Sequence, residues 1–75
     1  MRNIENLLTN REKDVLELLL NGKTNTQIAK KLTLSTHTVK YYVSSILFKL
    51  KVKTRVAAAV VATKYKMQQT VLNKK

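Results

Sequence analysis

Apolar positions recur at helical spacing along most of the chain and are interrupted by short polar intervals, which divides it into four candidate helices. Leu8-Thr9-Asn10-Arg11-Glu12 opens the first. A threonine hydroxyl there can cap the first-turn amides while a glutamate three positions on reaches back, the T-x-x-E capping box. Val15, Leu16, Leu18 and Leu19 follow at helical spacing, Glu17 lies outside, and Asn21-Gly22 ends the helix. Glycine suits that end because it takes up the left-handed backbone found just past a helix. Thr24-Asn25-Thr26-Gln27 repeats the capping pattern and starts a short helix with Ile28, Ala29 and Leu32 inward. Only Thr33-Leu34-Ser35 separate it from a longer third helix, from about Thr36 to Leu50, with Ser35 as N-cap.

The third helix has two distinct sides. At about 100° per residue, Val39, Val43, Ile46, Leu47 and Leu50 fall within an arc of about 100°, the predicted buried face. His37, Tyr41, Ser44 and Phe48 fall opposite, with Lys40 and Ser45 flanking them. Lys51-Val52-Lys53 connects to a fourth helix capped by Thr54. That helix carries two apolar stripes: Val56, Val60 and Met67 on one side, and Ala58, Val61, Ala62 and Tyr65 on the other. These boundaries predict an N-terminal extension over residues 1–6, one all-α four-helix domain over 7–68, and a frayed basic tail over 69–75.

Composition narrows the chemistry. A 75-residue chain has room for one domain with a thin core, and with no Cys no disulfide can staple it. The single histidine, His37, lacks partners for a metal site, so no metal or cofactor is expected. The longest apolar run, Val56 to Ala62, is far short of the roughly 20 residues a membrane span needs, and no signal peptide is recognisable. A soluble, cytoplasmic location is therefore expected.

Charge adds most. Fifteen Lys and Arg against four Asp and Glu give +11, and the four acids (Glu5, Glu12, Asp14, Glu17) all precede Leu18. The remaining chain has basic residues and no acid. Such a one-sided balance points to a polyanionic partner, nucleic acid before anionic membrane. Enzymatic acid–base chemistry has little to work with, since the carboxylates lie near one end and no glycine-rich phosphate loop is present. A cationic membrane-active helix would not be broken into short, separately capped segments. The aromatic residues form no stacking platform of the kind that reads RNA.

The middle two helices, with small Ala29 at their contact, Leu34 at the corner and Val39 anchoring the second, make a helix-turn-helix pattern. Its second helix would present an unobstructed outer face to the major groove of DNA. Leu8-Thr9, Arg11-Glu12, Val15-Leu16, Gly22-Lys23-Thr24-Asn25, Ile28-Ala29, Leu32, Ser35, Thr38-Val39-Lys40, Ile46, Lys49-Leu50, Val52 and Arg55 resemble, at matching spacing, the LuxR/GerE-type DNA-binding domain. The resemblance covers roughly Leu7 to Met67. It implies a four-helix domain that binds double-stranded DNA as a homodimer and regulates transcription. In such a domain the third helix reads DNA and the fourth makes the dimer contact. Asn10 stands where the family often has proline, and Tyr42 where it often has histidine. Lys51 replaces the usual glycine, so its connector is not expected to use a glycine-type backbone.

Carried over by position, the resemblance implies base reading by Lys40, Tyr41 and Ser44. It implies phosphate contacts by Thr24, Thr36, Thr38, Lys49, Lys53 and Arg55. The stripe of Ala58, Val61, Ala62 and Tyr65 is expected at the dimer contact, because a second apolar face exceeds what one protomer needs to bury. A dimer predicts an inverted-repeat site with half-sites about 10 bp apart. RNA polymerase and full-length LuxR-type regulators are further candidate partners. The competing reading is an interaction protein that pairs with such regulators and modulates them. Family members usually carry a receiver or ligand-sensing domain ahead of this one, and with seven residues before Leu8 none is expected in this chain. Control through abundance or a partner is the corresponding expectation.

Overall fold

The computed structural model describes the backbone of residues 4–73 and the side chains of residues 6–66. Five helices follow one another: α1 (Ile4–Leu7), α2 (Asn10–Leu20), α3 (Asn25–Leu32), α4 (Thr36–Leu50) and α5 (Arg55–Asn73), with no strand among the described residues. The four long helices, α2 to α5, are the four expected from the sequence. The single turn of α1 lies partly in the segment expected as an N-terminal extension. At the other end, α5 spans Arg55–Asn73 and so includes most of the segment expected as a tail. Residues 74–75 of the expected tail lie outside the described residues.

The starts of α2 to α5 are set by the predicted hydroxyls. The amide of Glu12 donates to Thr9 Oγ1 at 3.1 Å and the amide of Thr9 donates to Glu12 Oε1 at 2.8 Å, completing the first capping box. Thr24 and Gln27 repeat it at 3.2 and 2.9 Å. Ser35 Oγ accepts from the Thr38 amide at 3.0 Å, and Thr54 Oγ1 from the Ala57 amide at 3.0 Å.

The helix ends share one device, a bond that reaches back five residues around a left-handed one. The amide of Lys23 donates to the carbonyl of Leu18, Leu34 to Ala29, and Val52 to Leu47. The left-handed residues are Gly22, Thr33 and Lys51, with φ of 78°, 57° and 60°. The expectation for Lys51 is thereby overturned. Its connector keeps the glycine-type backbone without the glycine, because closing the cap around Val52 requires it.

Val15, Ile28, Val39 and Ile46 are fully buried at the centre, where α2, α3 and α4 meet. α5 packs on α2 and α4. Its inner stripe reverses the expectation: Ala58 and Ala62 are buried, Val61 and Tyr65 half-buried, while Val56 and Val60 are exposed. Of the predicted dimer residues, Ala58 and Ala62 therefore belong to the side of α5 that faces its own protomer, with Val61 and Tyr65 half-buried beside them. Small alanine side chains let the helix axes come close, and that gain decides which stripe turns inward. Met67, expected beside Val56 and Val60, has its side chain outside the described residues.

Candidate nucleic-acid interface

The turn between α3 and α4 fixes how α4 is displayed. Thr33 turns the chain, Leu34 closes the end of α3 and sits half-buried against the core, and Ser35 immediately caps α4. Ser35 Oγ also donates to Thr38 Oγ1 at 2.9 Å, which makes the first turn of α4 rigid. Ala29 is buried at the crossing, and Val39, Val43 and Ile46 anchor α4 from beneath. The opposite side of α4 stands in solvent: Thr36, His37, Lys40, Tyr41, Ser44 and Phe48 are all exposed.

The three residues expected at base edges lie together on that surface. Tyr41 is 68% exposed, and its ring meets the ring of half-buried Tyr42 edge-on, with centroids 5.8 Å apart. This contact braces Tyr41 without covering it. Lys40 and Ser44 are exposed on either side along the helix.

The expected phosphate residues divide into two groups. Thr36 and Thr38 occupy the first turn of α4, where backbone amides and the helix dipole favour an anion. Thr24 caps the start of α3. Arg55 reaches across to the same place, donating from Nη1 to Asn25 Oδ1 at 2.8 Å and from Nη2 to the Lys23 carbonyl at 3.1 Å. These bonds bring Arg55 to the two residues flanking Thr24. Lys53, two positions before Arg55, is exposed.

Lys49, expected at a phosphate, is engaged within the fold. Its Nζ donates to Glu12 Oε1 at 2.8 Å, and Ser45 Oγ donates to Glu12 Oε2 at 2.6 Å. Glu12 is only 4% exposed, so these bonds form a polar tie between α2 and α4. Burial alone would raise the Glu12 pKa. The bonds from Lys49, Ser45 and the Thr9 amide, with the Lys49 charge, outweigh it and hold the carboxylate below its ordinary value. Lys49 lies on the flank of α4 facing α2, and its charge is already matched. Sequence reasoning assigned Glu12 only to capping. The signal for its second role was Ser45 and Lys49, four residues apart on one side of α4.

The other carboxylates with described side chains are also paired, Asp14 with Arg11 at 3.6 Å and Glu17 with Lys66 at 2.9 Å. All three acids belong to α2, and none faces the exposed side of α4. Among the described residues no group of three His, Cys, Asp or Glu could hold a metal, and no helix is long and apolar enough to cross a membrane.

Residues 6–62 match the family model for bacterial regulatory proteins, luxR family (GerE). The chain is 52% identical over 60 residues, 80% of its length, to an uncharacterized transcriptional regulatory protein, YhcZ, of Bacillus subtilis, covering 28% of that protein. It is 51% identical over 53 residues, 71% of its length, to the transcriptional regulatory protein DesR of Bacillus subtilis, covering 27% of it. It is 47% identical over 55 residues, 73% of its length, to the nitrate/nitrite response regulator protein NarL of Escherichia coli K12, covering 26% of it. The chain thus spans little more than a quarter of the length of these relatives. A matching family model over most of its residues, a helix-turn-helix closed as the sequence requires, and a carboxylate-free outer helix face agree: the chain belongs to the luxR family of bacterial regulatory proteins.

Proposed function

We propose that this domain binds double-stranded DNA sequence-specifically and regulates transcription, inserting α4 into the major groove. The observation that carries the reading is the outer face of α4, fully exposed, braced from below by the core and free of carboxylates. On this reading Lys40, Tyr41 and Ser44 meet base edges, lysine suiting the acceptor pair of guanine and tyrosine a thymine methyl. Thr24, Thr36, Thr38, Lys53 and Arg55 meet phosphates. The relatives carry names of transcription regulators, which favours regulation over catalysis.

A homodimer completes the reading. Val56 and Val60, at 71% and 49% exposure, leave an apolar strip on the outside of α5 that a second copy can cover. The same strip carries the second reading, pairing with a full-length regulator of the family through its own corresponding helix. RNA polymerase is a further partner for a DNA-bound domain, and the cytoplasmic nucleoid its place of action.

Selection from a randomised 30-bp duplex pool at about 150 mM salt tests this. Enrichment of an inverted repeat is expected. Retention without enrichment reduces the domain to a polyanion binder, and absence of retention favours the pairing reading.

A further inference from the structure

Phe48 is 84% exposed, more than any other large apolar side chain among the described residues, and the contacts assigned so far leave it unused. Its position on α4 is informative. Counting about 100° per residue from Lys40, Ser44 lies near 40°, Phe48 near 80° and Tyr41 near 100°. Phe48 therefore falls inside the arc of the three base-reading positions, one turn beyond Ser44. That turn advances about 6 Å along the helix axis, between one and two base-pair steps of about 3.4 Å.

We propose that Phe48 extends the reading face of α4, its ring packing on the C5-methyl of a thymine one or two base steps beyond the contact made by Ser44. This inference rests on the DNA-binding reading above. A phenyl ring has no hydrogen-bond donor or acceptor, and the apolar group that a base pair offers in the major groove is the thymine methyl. The surroundings choose the occupant. Lys40, Lys51 and Lys53 are exposed on and just after α4, and from Leu18 onward the chain has no acid to offset them. A second copy of a chain with net charge +11 would bring like charge against this surface, whereas DNA brings the opposite.

The test compares the full chain with Phe48→Ala by fluorescence anisotropy on the duplex chosen by selection. A companion set of duplexes replaces each thymine singly by uracil, which removes only the methyl group. Phe48 is exposed, so Phe48→Ala is expected to fold as the parent does, and circular dichroism verifies this. The expected result is one position per half-site where uracil weakens the parent about fourfold, the effect of losing one buried methyl contact, and leaves Phe48→Ala unaffected. Equal binding by parent and variant on every duplex overturns the inference. So does a uniform loss by the variant, which would place the ring on the DNA backbone or on a protein. If the parent binds no duplex, the DNA reading itself has failed and the inference falls with it; the other two adverse results leave that reading intact.

Discussion

Thr33 and Lys51 hold left-handed backbones that L-residues adopt at a cost of about 1–2 kcal/mol, and Thr33 is also β-branched. Gly22 does the same work without that cost. Replacing Thr33 or Lys51 by glycine is expected to stabilise the domain by about 0.5–1 kcal/mol, since relief of strain exceeds the added freedom of the unfolded chain. A thermal melt should show a midpoint several degrees higher; an unchanged midpoint would mean the cap strain is absent. The lysines of the candidate site separate in the same way. Lys40→Ala should weaken binding about 10-fold or more and relax preference at one base pair. Lys53→Ala should weaken all sequences alike and reduce the salt slope by about one. Lys49→Met should instead act on stability, because it strips Glu12 of its charged partner. Urea titration beside anisotropy distinguishes the three.

At the scale of elements, Glu12 joins the start of α2 to the last two turns of α4. Its carboxylate is held below its ordinary pKa of about 4.5, so folding favours the ionised form. The resulting stability is present above the unfolded value and is lost as pH falls through the folded one. Glu12→Gln should cost about 1–3 kcal/mol near neutrality and flatten the decline of stability below pH of about 4.5. Equally steep acid unfolding in the variant would assign that decline to other carboxylates. This tie also shows what the sequence made legible. The capping boxes of Thr9 and Thr24 and the outward side of α4 could be read because each depends on residues within a few positions. Glu12 and Lys49 are 37 residues apart, and the spacing of Ser45 and Lys49 on α4 does not say which carboxylate they meet. The inward stripe of α5 was missed for a related reason: with two apolar faces available, how closely the axes approach at Ala58 and Ala62 is a property of the packed bundle. Lys51 was missed because its conformation is imposed by closure of the α4 cap, not by its own preference.

For the whole molecule, the proposed dimer rests on the exposed strip of Val56 and Val60. Val60→Glu should leave the fold intact, since the side chain is about half in solvent. It should abolish self-association in sedimentation and lower affinity for an inverted repeat more than for a single half-site. An unchanged sedimentation profile would remove α5 from the dimer. Every acid with a described side chain lies on α2 and is already paired, while the exposed side of α4 carries Lys40 and no carboxylate, with Lys51 and Lys53 exposed just beyond it. The acids with described side chains are thus confined to one helix of the domain. Near a polyanion an acid-free basic face is attracted more strongly than a helix bearing carboxylates, which on the proposed reading would turn α4 inward before any base is touched. Orientation during approach would therefore be set within about a Debye length, ~8 Å at physiological salt. Added salt should first slow arrival, while departure follows the contacts made by Lys40, Tyr41 and Ser44. Stopped-flow association at several ionic strengths would separate the two rates.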